Sequence, residues 1–455
     1  MSTPVSRSSA EPRLDATRFL LVVLHLVGVY VAVPLRGLGS FEFPAATMLL
    51  TVPLLLAVNL GRIRVRHVYP MLGLLSVGLL SVLLAPQAGD FLGARLKGLA
   101  QWSWSILCAY ALVLELSHWP RSELAKLFGG FSVAILAGCV LENFGGLRAV
   151  SNAFRRVAFV SASNEWLSRD IEIAGILRPR LFTSEPSDVA KFFVLSVFGW
   201  ATTSASHYRH AISLLLMVAG MWLIRSPIVL LVVPLLVLLT LIGRPLAGAP
   251  VPLSRPLKAT GLVTLIALGG VVIVPLLAAR AQVVLAGAEP SSLIRLAAPV
   301  LVASQTLQMS PMWGAGISGT EAIADIIIEA YTLFGLAKFA DPLISGEHMT
   351  VANLITNAFW LHWINFGLLG GVLVLWFTGR WMTALGVRRR MLAFLASLGF
   401  AQTMGAMHGP YFWSYIAVIL AVVRHLDDVG PLKLRFVPAL ILPGRPHSRA
   451  GSMAG

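Results

Sequence analysis

Apolar stretches long enough to cross a lipid bilayer recur twelve times along this chain, and that recurrence limits the fold more than any single motif does. A helix needs about 20 mainly apolar residues to traverse the hydrocarbon core. Such runs lie near 19–35, 42–60, 68–85, 99–117, 127–147, 189–206, 211–224, 227–242, 259–279, 352–377, 391–407 and 411–423. The seventh and eighth are separated only by Arg225-Ser226-Pro227 and read as a tight hairpin. The first run follows Arg13 and Arg18 and lacks a small-x-small cleavage site, so it reads as an uncleaved span rather than a signal peptide.

Composition agrees. Of 455 residues, 57% are apolar and 12% charged, against about 25% charged in soluble domains, which excludes a cytosolic enzyme. The expected fold is an all-α polytopic membrane protein forming a single transmembrane domain over residues 1–455. The net charge of +15 falls mostly between the apolar runs, as in cytoplasmic loops beside anionic lipid headgroups. No zinc, RRM or helix-turn-helix signature accompanies it, so no nucleic-acid partner is expected. Cys108 and Cys139 both lie in apolar runs and build neither a disulfide framework nor a metal site.

Basic residues orient the chain. With the N-terminus cytoplasmic, 21 of the 35 Lys and Arg fall on the inner side, including Arg62, Arg64 and Arg66 in one short loop and Arg388, Arg389 and Arg390 in another. Both termini are then inside. Two outer segments, 148–188 and 280–351, are much longer than turns. Trp166, Phe182, Trp313, Tyr331 and Phe334 recur in them with helix-like spacing, which predicts ordered, partly helical caps. The Pro/Arg-rich tail 429–455 reads as disordered, and no internal repeat is visible.

The two long outer segments and the tight hairpin nevertheless hold nine arginines on the side where positive charge is disfavoured: Arg148, Arg155, Arg156, Arg169, Arg178, Arg180, Arg225, Arg280 and Arg295. Arg225 is the sharpest case, flanked by Trp222-Leu223-Ile224 and Ser226-Pro227-Ile228 at a hairpin mouth. An ionisable residue in that setting is a functional-site hypothesis by default, weighed against snorkelling to the headgroups. A guanidinium stays charged and binds phosphate oxygens bidentately. Glu321, Asp325 and Glu329, at i, i+4 and i+8, predict one face of an amphipathic loop helix. Gly314, Gly316 and Gly319 neither follow a strand nor open a clear helix; they suit a tight turn or let backbone approach a ligand.

Four segments resemble the O-antigen ligase/polymerase superfamily. Arg178-Pro-Arg180-Leu-Phe182-Thr-Ser-Glu-Pro186-Ser-Asp-Val-Ala190 looks like the family's Arg…Phe…Pro…Ala approach to a span, and Arg225-Ser226 stands where its Ser/Arg hairpin lies. Arg295, followed by Pro311-Met-Trp313-Gly314-Ala-Gly316-Ile-Ser, is similar to its Arg…Pro-x-x-Gly-x-Gly stretch. Asn357-Ala-Phe-Trp360-Leu361 and Asn365-Phe-Gly367-Leu-Leu-Gly370 look like its His-Asn-x-x-Leu…Gly-x-x-Gly. The likeness covers about residues 178–375 and departs at Thr356, where the family has His. His348, His362 and His408 are the substitutes to consider, with His348 the first choice.

The resemblance implies a GT-C-like membrane glycosyltransferase of a bacterial inner membrane, working on its periplasmic face without metal or other cofactor. The donor would be an undecaprenyl-pyrophosphate-linked glycan. Arg225, Arg295 and Arg180 would hold the pyrophosphate, His348 would act as base, and Asn357 and Trp313 would contact substrate. A Wzy-type polysaccharide polymerase joining O-antigen or exopolysaccharide repeat units is the leading expectation, with a chain-length regulator as a further partner. A ligase moving O-antigen onto lipid A-core comes next. A secondary transporter of an anionic solute is the alternative of a different class.

Overall fold

The computed structural model describes residues 15–36, 42–43, 46–87, 89–159, 177–242, 295, 297–334, 354–405 and 407–426. These form α1 (Ala16–Val31), α2 (Met48–Val58), α3 (Val65–Leu84), α4 (Leu92–Leu116), α5 (Arg121–Phe144), α6 (Leu147–Ala158), α7 (Pro186–Thr203), α8 (Arg209–Ile224), α9 (Val232–Ile242), α10 (Ala298–Met309), α11 (Ala324–Leu333), α12 (Ala358–Ala384), α13 (Arg390–Ala401) and α14 (Pro410–Arg424). A two-residue antiparallel pairing, β1 (Leu35–Arg36) with β2 (Glu42–Phe43), interrupts the early helices.

Among the described residues, four helices, α3, α4, α5 and α12, are long and apolar enough to cross a membrane. Eleven of the twelve expected spans coincide with a described helix; the ninth, 259–279, lies outside the described residues. Several helices are shorter than their apolar runs. The second expected span, 42–60, yields only α2, and the eighth opens as a 3-10 turn over Pro227–Leu231 before α9. The described parts of the two long segments are helical, as expected, in α6, α10 and α11. One expectation fails: Glu321 stands in a 3-10 turn, Gly319–Ile323, and Asp325 and Glu329 in α11, so the register changes between them.

The centre of the bundle is α4, α7 and α14. From Pro410 to Val423, α14 is buried at nearly every position, as a helix apolar on all sides must be. Proline at the first position of α7 and of α14 supplies a preset φ and sacrifices no intrahelical donor. Outer faces of α3, α5 and α8 expose Leu72, Leu83, Val133 and Leu215, an apolar belt unsuited to water.

One end of the bundle is a polar knot. Glu115, 1% exposed, accepts from Asn59 Nδ2 at 2.7 Å and Trp119 Nε1 at 2.9 Å, with Arg62 and Arg18 at 3.7 and 3.8 Å. Nearby, Arg121 donates to the Thr202, Thr203 and Ser204 carbonyls at the end of α7. There it satisfies orphan acceptors and opposes the helix dipole. Among the described residues, Arg18, Arg62 and Arg121, assigned to one side by sequence, meet at this end of the bundle.

Candidate functional site

At the opposite end, the chain between α10 and the following 3-10 turn threads into a break in α12. Gly367 has φ 64° and ψ −167°, which no helix tolerates, and the residues around it release backbone groups. The Ser310–Ser318 segment takes them up. Ala315 N–H donates to Ile364 O at 2.7 Å, Leu368 N–H to Pro311 O at 2.7 Å and Gly370 N–H to Met312 O at 3.2 Å. Ser81 adds a third element, accepting from Ile317 N–H and donating to Asn365 O. A Cβ on Gly314 would lie 2.2 Å from Ile364 O, and one on Gly367 would lie 2.5 Å from the Met312 carbonyl carbon. Only glycine fits either place. The half-buried ring of Trp313 rests against Gly370.

Arg95, near the start of α4, lies beneath this turn with no exposed surface. Its Nη2 donates to Pro86 O at 2.6 Å and Ala315 O at 2.8 Å, whereas buried Nε and Nη1 have no partner. An unmet buried donor costs about 1–3 kcal/mol, more when charged. Thr320 Oγ1, Thr356 Oγ1, Asn365 Oδ1 and His408 Nδ1 are also buried without partners, in segments meeting at this end. Such groups mark where a polar ligand finds ready partners. Sequence reasoning misses Arg95 because it stands beside an apolar run, where one basic residue reads as a helix-end anchor. Its place between two spans on the side that the basic loops leave as outer is the signal the sequence offered.

Asn357 builds the adjoining corner. Fully buried, it caps α12 through Oδ1, which accepts from Phe359 and Trp360 N–H at 3.1 and 3.2 Å. Its Nδ2 donates to Arg295 O and to Gln402 Oε1, both at 2.9 Å. Its donors and acceptors are therefore committed to protein groups, and its role here is to fix the Arg295 backbone at the amino end of α12.

A second set gathers at the end of α5. Buried Glu142 accepts from Arg180 N–H at 3.1 Å and Leu181 N–H at 2.7 Å. Leu181 and Phe182 have φ of 40° and 68°, a left-handed turn disfavoured for side chains of this size. Thr183 closes it by donating N–H and Oγ1 to Arg180 O. Arg148 and Arg155 brace the same loop through the Leu177 and Ser184 carbonyls. Arg225 is exposed and left-handed, with φ 54° and ψ 41°, and its N–H closes α8 onto Met221 O. Stacking of Phe144 on Trp222 sets its hairpin beside α5, and Asn143 Nδ2 donates to Leu223 O there. So Arg180 and Arg225 attach to α5, and Arg295, Asn357, Trp313 and Arg95 attach to α12. Between them, α7 packs on α14 through Phe192 and Tyr415.

His348, Arg169 and Arg280 lie outside the described residues. His362 is buried in α12 with Nε2 paired to Gly371 O at 3.0 Å. His408 precedes α14; burial pushes its imidazole down to about 4, so it is neutral at pH 7. Burial raises the Tyr331 phenol, whose hydroxyl donates to Leu354 O. Among the described residues, no three His, Cys, Asp or Glu side chains come together as a metal site would require. Comparison with known protein families, with characterised proteins and with solved structures returned no match.

Proposed function

We propose that this chain is a membrane glycosyltransferase that takes a glycan from an undecaprenyl-pyrophosphate carrier on the periplasmic face of a bacterial inner membrane. Its product is then a polymer of O-antigen or exopolysaccharide repeat units. The observation that carries the reading is the joining of the resembling segments: Pro311–Ser318 interlocks with Asn365–Gly370, and Asn357 holds Arg295. Residues far apart in sequence but alike in family pattern meet at one end of the bundle.

Chemically, the pyrophosphate gains charge as the glycosidic bond lengthens. Arginines fixed beside it stabilise that charge more in the transition state than in the ground state. Arg225 is the leading candidate, being exposed at a hairpin mouth, and Arg295 and Arg180 are the further candidates. The acceptor hydroxyl attacks from the opposite face and inverts the anomeric centre, with His348 taking its proton.

Deleting the gene and sizing surface and lipid-linked glycans tests the reading. A single repeat unit without a ladder supports the polymerase. Full-length glycan stranded on the carrier, with bare core outside, moves the assignment to the ligase. An unchanged profile in a host without a paralogue rejects both and favours transport of an anionic solute.

A further inference from the structure

We infer that Arg95 is a phosphate-binding residue held beneath a glycine-built lid. The side chain is fully buried, carries a charge that a protein interior cannot remove, and makes no ion pair among the described residues. Its side-chain partners among them are the Pro86 and Ala315 carbonyls, both on Nη2, so three of the five N–H groups, on Nε and Nη1, are unspent there. Its place in the first turn of α4 makes the arrangement less favourable still, because the amino end of a helix repels a cation. Both features suit an anion.

The covering segment is made to sit close. A Cβ on Gly316 would lie 2.8 Å from Arg95 Nε, one on Gly319 3.2 Å from it, and one on Gly98 2.2 Å from Ser318 Oγ. Gly314, Gly316 and Ser318 all have positive φ, so the backbone turns at three places within five residues. Opening at Gly316–Gly319 uncovers Nε; it gives up the Ile317–Ser81 bond and leaves the Ala315–Ile364 bond in place. A phosphate ester or pyrophosphate has the acceptor oxygens and the charge that this guanidinium lacks. The assignment concerns phosphate recognition and stands whether or not the chain transfers sugar.

The test is binding of radiolabelled inorganic pyrophosphate to the full chain in phosphatidylcholine nanodiscs, with Arg95→Met and Arg95→Lys beside the native protein. Native binding, reduced at least about tenfold in Arg95→Met and less in Arg95→Lys, supports the site. Arg95→Met should melt no lower than the native protein, because an apolar residue of similar shape replaces an uncompensated buried charge. A purely structural arginine predicts a lower melting temperature with binding unchanged. If Arg95→Met does not fold, Arg95→Lys decides: a folded Lys variant binding like the native protein overturns the site. No native pyrophosphate binding, with or without phosphatidylglycerol in the disc, also overturns it. Competition by phosphatidylglycerol identifies a lipid headgroup as the phosphate source, and its absence identifies a pyrophosphate-bearing ligand.

Discussion

Ala315 donates its backbone N–H to the carbonyl of Ile364 at 2.7 Å, in a helix whose own ladder breaks three residues later at Gly367. The turn and the break are one structure. A kinked helix leaves carbonyls and amides unsatisfied, which is tolerated at membrane depth only where other protein groups take them up. Here the turn from the second long segment does so, and the same turn covers Arg95.

That interlock predicts a sharp dependence on two glycines. Gly314→Ala or Gly367→Ala should each destabilise the protein by about 3 kcal/mol or more, since overpacking and left-handed strain add. Gly130→Ala in α5, where a Cβ meets nothing within 4 Å, should be neutral or mildly stabilising. Thermal unfolding in detergent checks the contrast, and equal melting of all three variants would contradict the interlock.

Arg225 separates backbone from side chain. Arg225→Gly removes the guanidinium and also relieves a left-handed residue, so stability should rise by about 1 kcal/mol. Glycan chain assembly should nevertheless be lost in Arg225→Gly, as in Arg225→Ala. Normal assembly in a host carrying either variant would take Arg225 out of the site.

Asn357→Ala loses the cap of α12, about 1 kcal/mol, and also the bonds to Arg295 and Gln402. Asn357→Ser restores a cap but is too short to reach both partners. Its melting temperature should therefore recover by roughly that cap contribution while chain assembly remains impaired. Full rescue by Ser would mean that the hold on Arg295 is unimportant.

Glu142 is the anchor of the strained loop, so Glu142→Ala should expose the Arg180–Leu181 bond to trypsin faster than Glu142→Gln, which keeps one acceptor. Cleavage rates at that bond in detergent, followed by mass spectrometry, measure the difference. Identical rates would show that Thr183 and Ser151, whose Oγ accepts from Phe182 N–H at 3.1 Å, hold the loop without the carboxylate.

His408 gives a pH dependence of known sign. Its folded pKa, about 4, lies below the ordinary imidazole value of 6.5 because burial disfavours the cation. The stability it contributes is complete above pH 6.5 and is lost as pH falls through 4. His408→Gln should flatten the melting curve against pH in that interval, and an unchanged slope would place the acid sensitivity elsewhere.

Much of this arrangement was legible from residues alone, because bilayer-length apolar runs and basic loops are local properties of the chain. They located α3, α4, α5 and α12 and the basic end of the bundle. The two long segments read as partly helical, and the glycines of 314–319 as a tight turn or an approach to a ligand; the turn is there, and what Gly314 approaches is the backbone of α12. What escaped was partnership. Asn357 resembles a substrate ligand in sequence, yet its amide is spent on a helix cap and on Arg295, through bonds that span 62 residues of sequence. Arg148 and Arg155 read as outer charges and serve as loop braces. Arg95, which no motif of the sequence singles out, is a buried cation with unspent donors among the described residues. The sequence determined that the chain folds as apolar helices with its charge sorted to the ends, since hydropathy and helix length act locally. Only the tertiary structure decided which polar groups are satisfied and which remain open, because in a dry interior that depends on atoms brought together from distant parts of the chain.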